Sequence, residues 1–326
     1  MQSIPRSAAA RWLPGALLLG LLLIVALRSV EWRHFAEIVR RAEPVWLLAA
    51  LPLQLSTYLC AAGVLHRGIA ASGERRSLAS LVPLGLAKLF IDQVVPTGGI
   101  GGTLLVVRAL ERRGVRRGVA AAAVVVNTLA FYAAYAIAVG VALGVLWLRR
   151  EFHPAILVLV TLFAAYATTI PVLILWIVYG GPRSRPSWFS RVPGLDAALR
   201  AIDEAPASTF RHPILFVESI LLQLAIVALD AATLDVLLRS LGHPVGFRVV
   251  FTSFVLASVA ATLSLLPGGL GSFEAGAVAS LRFLGLPLEV SLAGTLLLRG
   301  FTLWLPLVPG VWFARHEMTG HKAAPS

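Results

Sequence analysis

Six uninterrupted apolar runs divide the chain, at about 12–29, 45–65, 118–148, 154–179, 213–238 and 291–314. Each approaches or exceeds the roughly 20 residues that a helix needs to cross the hydrocarbon of a bilayer. Two further apolar segments, 78–107 and 248–285, are interrupted midway by a proline followed by glycines, VVPTGGIGG at 94–102 and LLPGGLGS at 265–272. Such a cluster does not continue a helix, so each segment predicts a helical arm, a break and a second arm. Broken backbone at membrane depth survives only where protein or a wet cavity covers it. A hairpin that leaves by the face it entered meets that condition, and so does a full span with an unwound centre.

Composition confirms the setting. Apolar residues make up 58% of the 326 and charged residues 13%, against about 25% charged in a globular domain, and the mean hydropathy is +0.84. A soluble domain is excluded. The net charge of +12 comes from 28 Lys and Arg placed mostly in short loops, where they set topology and meet anionic lipid. No zinc-finger spacing, P-loop or basic-aromatic pattern accompanies them, so no nucleic-acid partner is expected. The single cysteine, Cys60, lies inside an apolar run and rules out an intramolecular disulfide or a cysteine cluster. Residues Met1 to Leu27, with Arg6 and Arg11 before an apolar stretch, read as a first membrane helix rather than a cleaved signal.

Charge counting favours hairpins. With the N terminus inside and both broken segments re-entrant, 17 of the 28 Lys and Arg fall in inside loops and eight in outside loops, which follows the positive-inside rule. The hairpins then enter from opposite faces, and they resemble each other. GGIGG at 98–102 answers GGLGS at 268–272, each followed by a later glycine (Gly114, Gly285) and a long apolar run. This is the signature of an inverted repeat. The expected fold is all-α: a polytopic integral membrane protein with about six transmembrane helices plus two oppositely oriented re-entrant hairpins. One domain covers 1–326, with repeat-like halves at 78–148 and 248–314, a cytoplasmic loop at 180–212 and both termini cytoplasmic. Trp32, Phe35 and Val39, and later Leu195, Leu199 and Ile202, recur at helical spacing beside charges, as in interfacial or connecting helices.

Ionisable residues inside membrane segments are functional candidates by default. Lys88 and Asp92 lie one turn apart on the first arm of the first hairpin; Glu274 opens the second arm of the second; Arg299 lies in the last run; Asp230 sits deep in 213–238, with Gln223 two turns before it. After each break, at Pro96, Gly98 and Gly99 and at Pro267, Gly268 and Gly269, a new helix begins, with N–H groups and a positive dipole end directed into the membrane. All of these except Gln223 form a candidate polar, phosphate-sized headgroup site. The competing reading makes Lys88–Asp92 and Glu274–Arg299 buried pairs that pin helices together. Gly140-x-x-x-Gly144 suggests close helix packing, and Asn127 an interhelical hydrogen bond. The seven histidines show no ligand spacing, and neither a metal nor a cofactor is expected.

The segment DQVVPTGGIGG followed by Arg108, and the run SLLPGGLGSFEAGAVASLRFLGL with Arg299 in the following span, resemble the lysylphosphatidylglycerol synthase transmembrane family, a flippase-like domain. The resemblance covers roughly residues 12–315. It departs from the family pattern at Thr103, where an acid often follows the glycines, and in NTLAFYAAYAIA (127–138), which lacks a frequent acid–arginine pair. No soluble aminoacyl-transferring domain follows in the sequence. The resemblance implies a non-enzymatic protein of the inner (cytoplasmic) membrane that translocates or transports a polar lipid: a phospholipid, an aminoacyl-phospholipid or an isoprenoid-type lipid. Its partners would be membrane lipids. The alternative is a non-catalytic subunit that presents lipid to a separately encoded synthase or glycosyltransferase.

Overall fold

A computed structural model describes residues 40, 42–94, 100–151, 153–180, 195–206, 209–264, 266–306 and 309. The expected first span at 12–29, the stretch around Trp32 to Val39, and the first break with Pro96, Gly98 and Gly99 lie outside the described residues. Ten helices carry the described chain: α1 Pro44–Ala70, α2 Leu78–Val94, α3 Ile100–Arg112, α4 Arg117–Arg149, α5 Pro154–Gly180, α6 Leu195–Asp203, α7 Pro213–Ser240, α8 Phe247–Leu263, α9 Ser272–Phe283 and α10 Leu288–Arg299. The fold is all-helical, and α1, α4, α5 and α7 are long and apolar enough to cross a membrane. This is a polytopic membrane protein. These four begin within a residue of the expected runs; the last run begins earlier, at Leu288, because Pro287 supplies its N-cap. It also does not continue as a plain α-helix, since a π turn over Gly300–Trp304 follows Arg299 directly.

End-to-end contacts fix the order of elements. The Glu43 N–H donates to the Ser240 carbonyl (2.9 Å), joining the start of α1 to the end of α7. At the other end Ser72 Oγ lies 2.9 Å from Thr209 Oγ1, and Arg67 pairs with Glu218 at 2.7 Å. The two helices are therefore antiparallel. Arg116, just before α4, pairs with Glu74, just before α2, at 2.9 Å, so the α2–α3 pair enters and leaves at the end that carries most of the loop arginines. The His153 ring meets Phe283 at the last residue of α9, so the α8–α9 pair enters and leaves at the opposite end. Each pair packs arm against arm, and the tip of the second, Pro267–Gly269, reaches α2 of the first.

Both hairpins end in the same turn. Gly114 (φ +75°) and Gly285 (φ +101°) take left-handed conformations that favour glycine. The residues after them donate five positions back, Val115 to Leu110 and Leu286 to Leu281, each at 3.0 Å; this closure satisfies the last carbonyls of α3 and α9. Each hairpin then leads into a further helix, α4 or α10.

Leu234, Leu237 and Leu238 of α7 pack with Val250 and Val255 of α8 and Ala277 and Leu281 of α9 in the main core. A second cluster joins Leu81, Leu84, Val106 and Leu110 of the first hairpin to α1 and α4. Close helix approach falls on glycines other than the expected pair. A Cβ built on Gly140 or Gly144 would meet nothing within 4 Å, because both point out of the bundle, whereas one on Gly276 would lie 3.1 Å from Ala257 Cα. The sequence spacing marks a small-residue face without telling which way it points. α5 buries only Phe163 and Ile177, and its exposed Leu157, Val158, Leu162 and Trp176 present an apolar surface suited to lipid.

α6 is the expected amphipathic segment; its Leu199 and Ala201 are buried, and it packs on α4 and α5. Gly118, at the start of α4, makes this docking possible, since any Cβ there would overlap the carbonyl oxygen of Glu204. Gly118→Leu is expected to detach the 200–212 segment while the bundle stays folded. Trypsin cleavage at Arg200 and Arg211 should then rise about tenfold, as for a local loss near 1.4 kcal/mol; unchanged cleavage would show that α6 is held elsewhere.

Candidate functional site

The second break is built from its glycines. Gly268, Gly269 and Gly271 all have positive φ (61°, 61° and 81°), and a Cβ on Gly269 would come within 2.6 Å of Ala261 Cβ. The turn exposes peptide groups that no helix satisfies. Glu274, at the third position of α9, turns back so that the Gly271 N–H donates to its Oε2 at 2.7 Å. Its other oxygen accepts from Arg299 Nε at 2.6 Å, and Arg299 Nη2 donates to the Gly268 carbonyl at 2.7 Å. The guanidinium lies over the Phe273 ring, 4.7 Å from its centroid. Ser272 Oγ stands 2.8 Å from Ser264 Oγ across the base of the turn. Glu274 and Arg299 are buried, and the carboxylate itself occupies the place where an anion would meet this helix start.

Directly after Arg299 the backbone widens into the π turn, where the Leu305 N–H bonds to the Gly300 carbonyl. Such insertions re-aim side chains and recur at functional sites. Here Thr302 lines a cavity of about 300 Å³ bounded by α1, the first hairpin, α4 and α7. Gln54, Thr57 and Tyr58 reach it from α1, Lys88 from α2, Thr103 from α3, Asn127 and Thr128 from α4, and Gln223 and Asp230 from α7. Six elements thus contribute polar side chains to one space inside an apolar bundle.

Several of these groups are held in place. The Asn127 expectation holds: Gln223 Nε2 donates to Asn127 Oδ1 at 3.0 Å. Thr57 Oγ1 donates to the Gln54 carbonyl (2.7 Å), so toward Gln54 Nε2 (3.1 Å) it only accepts. That fixes the Gln54 amide with Oε1 on its other side. Gln54 Oε1, Tyr58 OH and Asp230 Oδ1 are buried and none makes a hydrogen bond of good geometry, although the Gln54 side chain lies beside both the Tyr58 hydroxyl and the Asp230 carboxylate. Leaving such a group unsatisfied costs about 1–3 kcal/mol, and three of them around one cavity mark a place built to receive donors from a guest or from water.

Of the residues singled out from the sequence, Lys88 and Asp230 line this cavity, while Gly268, Gly269, Glu274 and Arg299 form the hairpin tip that packs toward it against α2. Pro267 begins the tip. Asp92 lies on α2, its side chain outside the described residues. Gln54, Tyr58, Thr103 and Thr302 escaped sequence reasoning. Gln54 and Tyr58 did leave a signal, two polar residues four apart and therefore on one helix face, inside an apolar run.

The fold and cavity define a class, a polytopic helical membrane protein with two helical hairpins and a polar chamber lined by the first of them together with α1, α4 and α7. The particular family follows from comparison: residues 12–310 match the family described as the lysylphosphatidylglycerol synthase TM region. The chain belongs to that family, described as the membrane region of a lipid synthase. A comparison with curated proteins finds no match.

The Glu274–Arg299 pair is expected to behave as a structural brace. Arg299→Met, or Glu274→Gln, which keeps an oxygen for Gly271, should each cost about 3–5 kcal/mol by stranding the other charge or its hydrogen bonds. In the double variant the costs should fall short of the sum by more than about 1 kcal/mol. Thermal and denaturant unfolding in detergent measures this; strictly additive losses would mean that the two side chains do not depend on each other.

Proposed function

We propose that the protein moves a polar lipid across the cytoplasmic membrane, its headgroup passing through the polar chamber beside the first hairpin. The observation that carries this reading is the group of three buried, poorly satisfied oxygens, on Gln54, Tyr58 and Asp230, on residues lining a cavity that Lys88 also lines. Lys88 suits a phosphate as a compact cation, and the three oxygens suit the hydroxyl or ammonium donors at the far end of a headgroup. A cavity of about 300 Å³ is at the lower end of small-molecule sites, enough for a headgroup but not for a whole lipid. The acyl chains would stay outside, in the bilayer or against apolar helices. The lipid is a phospholipid, an aminoacyl-phospholipid or an isoprenoid-type lipid, and the protein supplies passage rather than covalent chemistry.

The arginine-rich end, with the 71–77, 113–116 and 204–212 connections, would face the cytoplasm by the positive-inside rule. In the outer loops Arg282 joins the sparser side, since it is exposed in the last turn of α9 rather than within the membrane segment.

A headgroup-accessibility assay in liposomes containing the purified protein, run over phospholipid, aminoacyl-phospholipid and isoprenoid-phosphate lipids, tests the reading. At least one lipid should cross well above the protein-free rate. Lys88→Gln and Asp230→Asn should each slow it about tenfold or more, the equivalent of 1.4 kcal/mol in the barrier, with yield and monodispersity unchanged. A panel in which nothing moves, or in which the double variant moves lipid normally, would defeat the proposal.

A further inference from the structure

The polar chamber has a neighbour. Thr103, Val124 and Thr128 line it and also line a second space, an apolar groove of about 270 Å³ between α3 and α4. Ile177 of α5 and Ile202 of α6 line its outer side. The groove lies at the arginine-rich end and carries charge only at its mouth. There Arg117 is paired with Glu111 at 3.4 Å, whereas Arg108 is exposed and makes no hydrogen bond or ion pair among the described residues. Thr103 stands five residues deeper on the same helix, about 7.5 Å along its axis, roughly one headgroup's reach from the guanidinium.

We propose that this groove is the entry site for an anionic phospholipid from the leaflet at the arginine-rich end. One acyl chain lies along the groove between α3, α4 and α5, the phosphate rests at Arg108, and the headgroup reaches the chamber past Thr103 and Thr128. Three features select this occupant. The groove wall is apolar, as a hydrocarbon chain requires; the single unpaired charge at its mouth is a cation whose planar fork fits phosphate; and the wall is shared with the polar chamber. α5, which buries only two residues against the bundle, leaves the outer side of the groove next to lipid. The assignment rests on the reading of lipid passage through the chamber and adds to it the charge class of the lipid and its point of entry.

The test uses the full chain in phosphatidylcholine vesicles with a small fraction of phosphatidylglycerol that carries a diazirine near the end of one acyl chain. After irradiation the labelled peptides are mapped. Label should concentrate on α3 and α4 between Leu104 and Val125, about tenfold above the label left there by an equivalent phosphatidylcholine probe, as expected for one charge-assisted contact. Arg108→Gln, an exposed change that folding tolerates, should erase that preference. Val125→Trp, which fills the groove, should remove groove label from both probes and leave label on the exposed face of α5 around Leu157 to Leu162 unchanged. Millimolar inorganic phosphate should not compete.

Equal groove label from both headgroups, or a preference that survives Arg108→Gln, would overturn the assignment, and so would phosphate alone displacing the probe, since a soluble-anion site would explain it. The outcomes also separate the two readings. Groove label that follows these rules in a protein that moves no lipid keeps the entry site and removes translocation. Translocation that persists in Arg108→Gln with no groove label keeps passage and removes this entry site.

Discussion

A helix that stops halfway through hydrocarbon leaves peptide groups that neither water nor another helix turn satisfies, and this constraint organises the structure. In the second hairpin two charged side chains meet it. Glu274 takes the Gly271 N–H, Arg299 takes the Gly268 carbonyl, and the two hold each other at 2.6 Å. Either charge alone in that position would be strongly destabilising; together they neutralise one another and cap a turn whose positive φ angles require glycine. Because Arg299 belongs to α10, the same contact ties the hairpin to the helix that follows it. The π turn that aims Thr302 into the chamber starts at the very next residue. Tip, brace, π turn and chamber form one connected arrangement.

The two hairpins are alike in frame and different in chemistry. Their closing turns at Gly114 and Gly285 have the same handedness and the same five-back hydrogen bond, and each leads into a further helix. The second hairpin buries Glu274 at its tip against Arg299 of α10, whereas the first contributes Lys88 and Thr103 directly to the chamber and Arg108 to the groove beside it. One half acts as a braced wall and the other presents polar groups. Membership of the lysylphosphatidylglycerol synthase transmembrane family sets this architecture in a lipid context, and the poorly satisfied oxygens on α1 and α7 give that context a chemical focus.

Much of the fold was legible in the sequence because its signals are strong and local. Long apolar runs demand helices, and proline followed by glycines demands a break; the arms of both hairpins and four of the long helices appear where these rules put them. Glu274 and Arg299 were legible as a pair because charge in an apolar run needs a partner. What they do to the turn was not, since it depends on which carbonyl and which N–H the glycine conformations expose. Gly140 and Gly144 misled because a small-residue spacing does not reveal its direction; the close approaches fall at Gly118 and Gly276 instead. Gln54, Tyr58 and Thr302 stayed hidden because uncharged polar residues in a span are common, and only the packing of α1 against α7 and the π turn bring them to one cavity.

The central claim is that two half-way hairpins enter from opposite faces and meet where the tip of the second packs on α2 of the first, the hairpin that lines the polar chamber. Single cysteines at Ser77, Arg112, His243 and Arg282, in a Cys60→Ala background, test it by labelling with an impermeant reagent in sealed vesicles of known orientation. The account requires Ser77 and Arg112, at the two ends of the first hairpin, to react from one side, and His243 and Arg282, at the two ends of the second, to react only from the other. Labelling of Ser77 and Arg112 from opposite sides would mean that the first broken segment crosses the membrane completely, and would contradict the account.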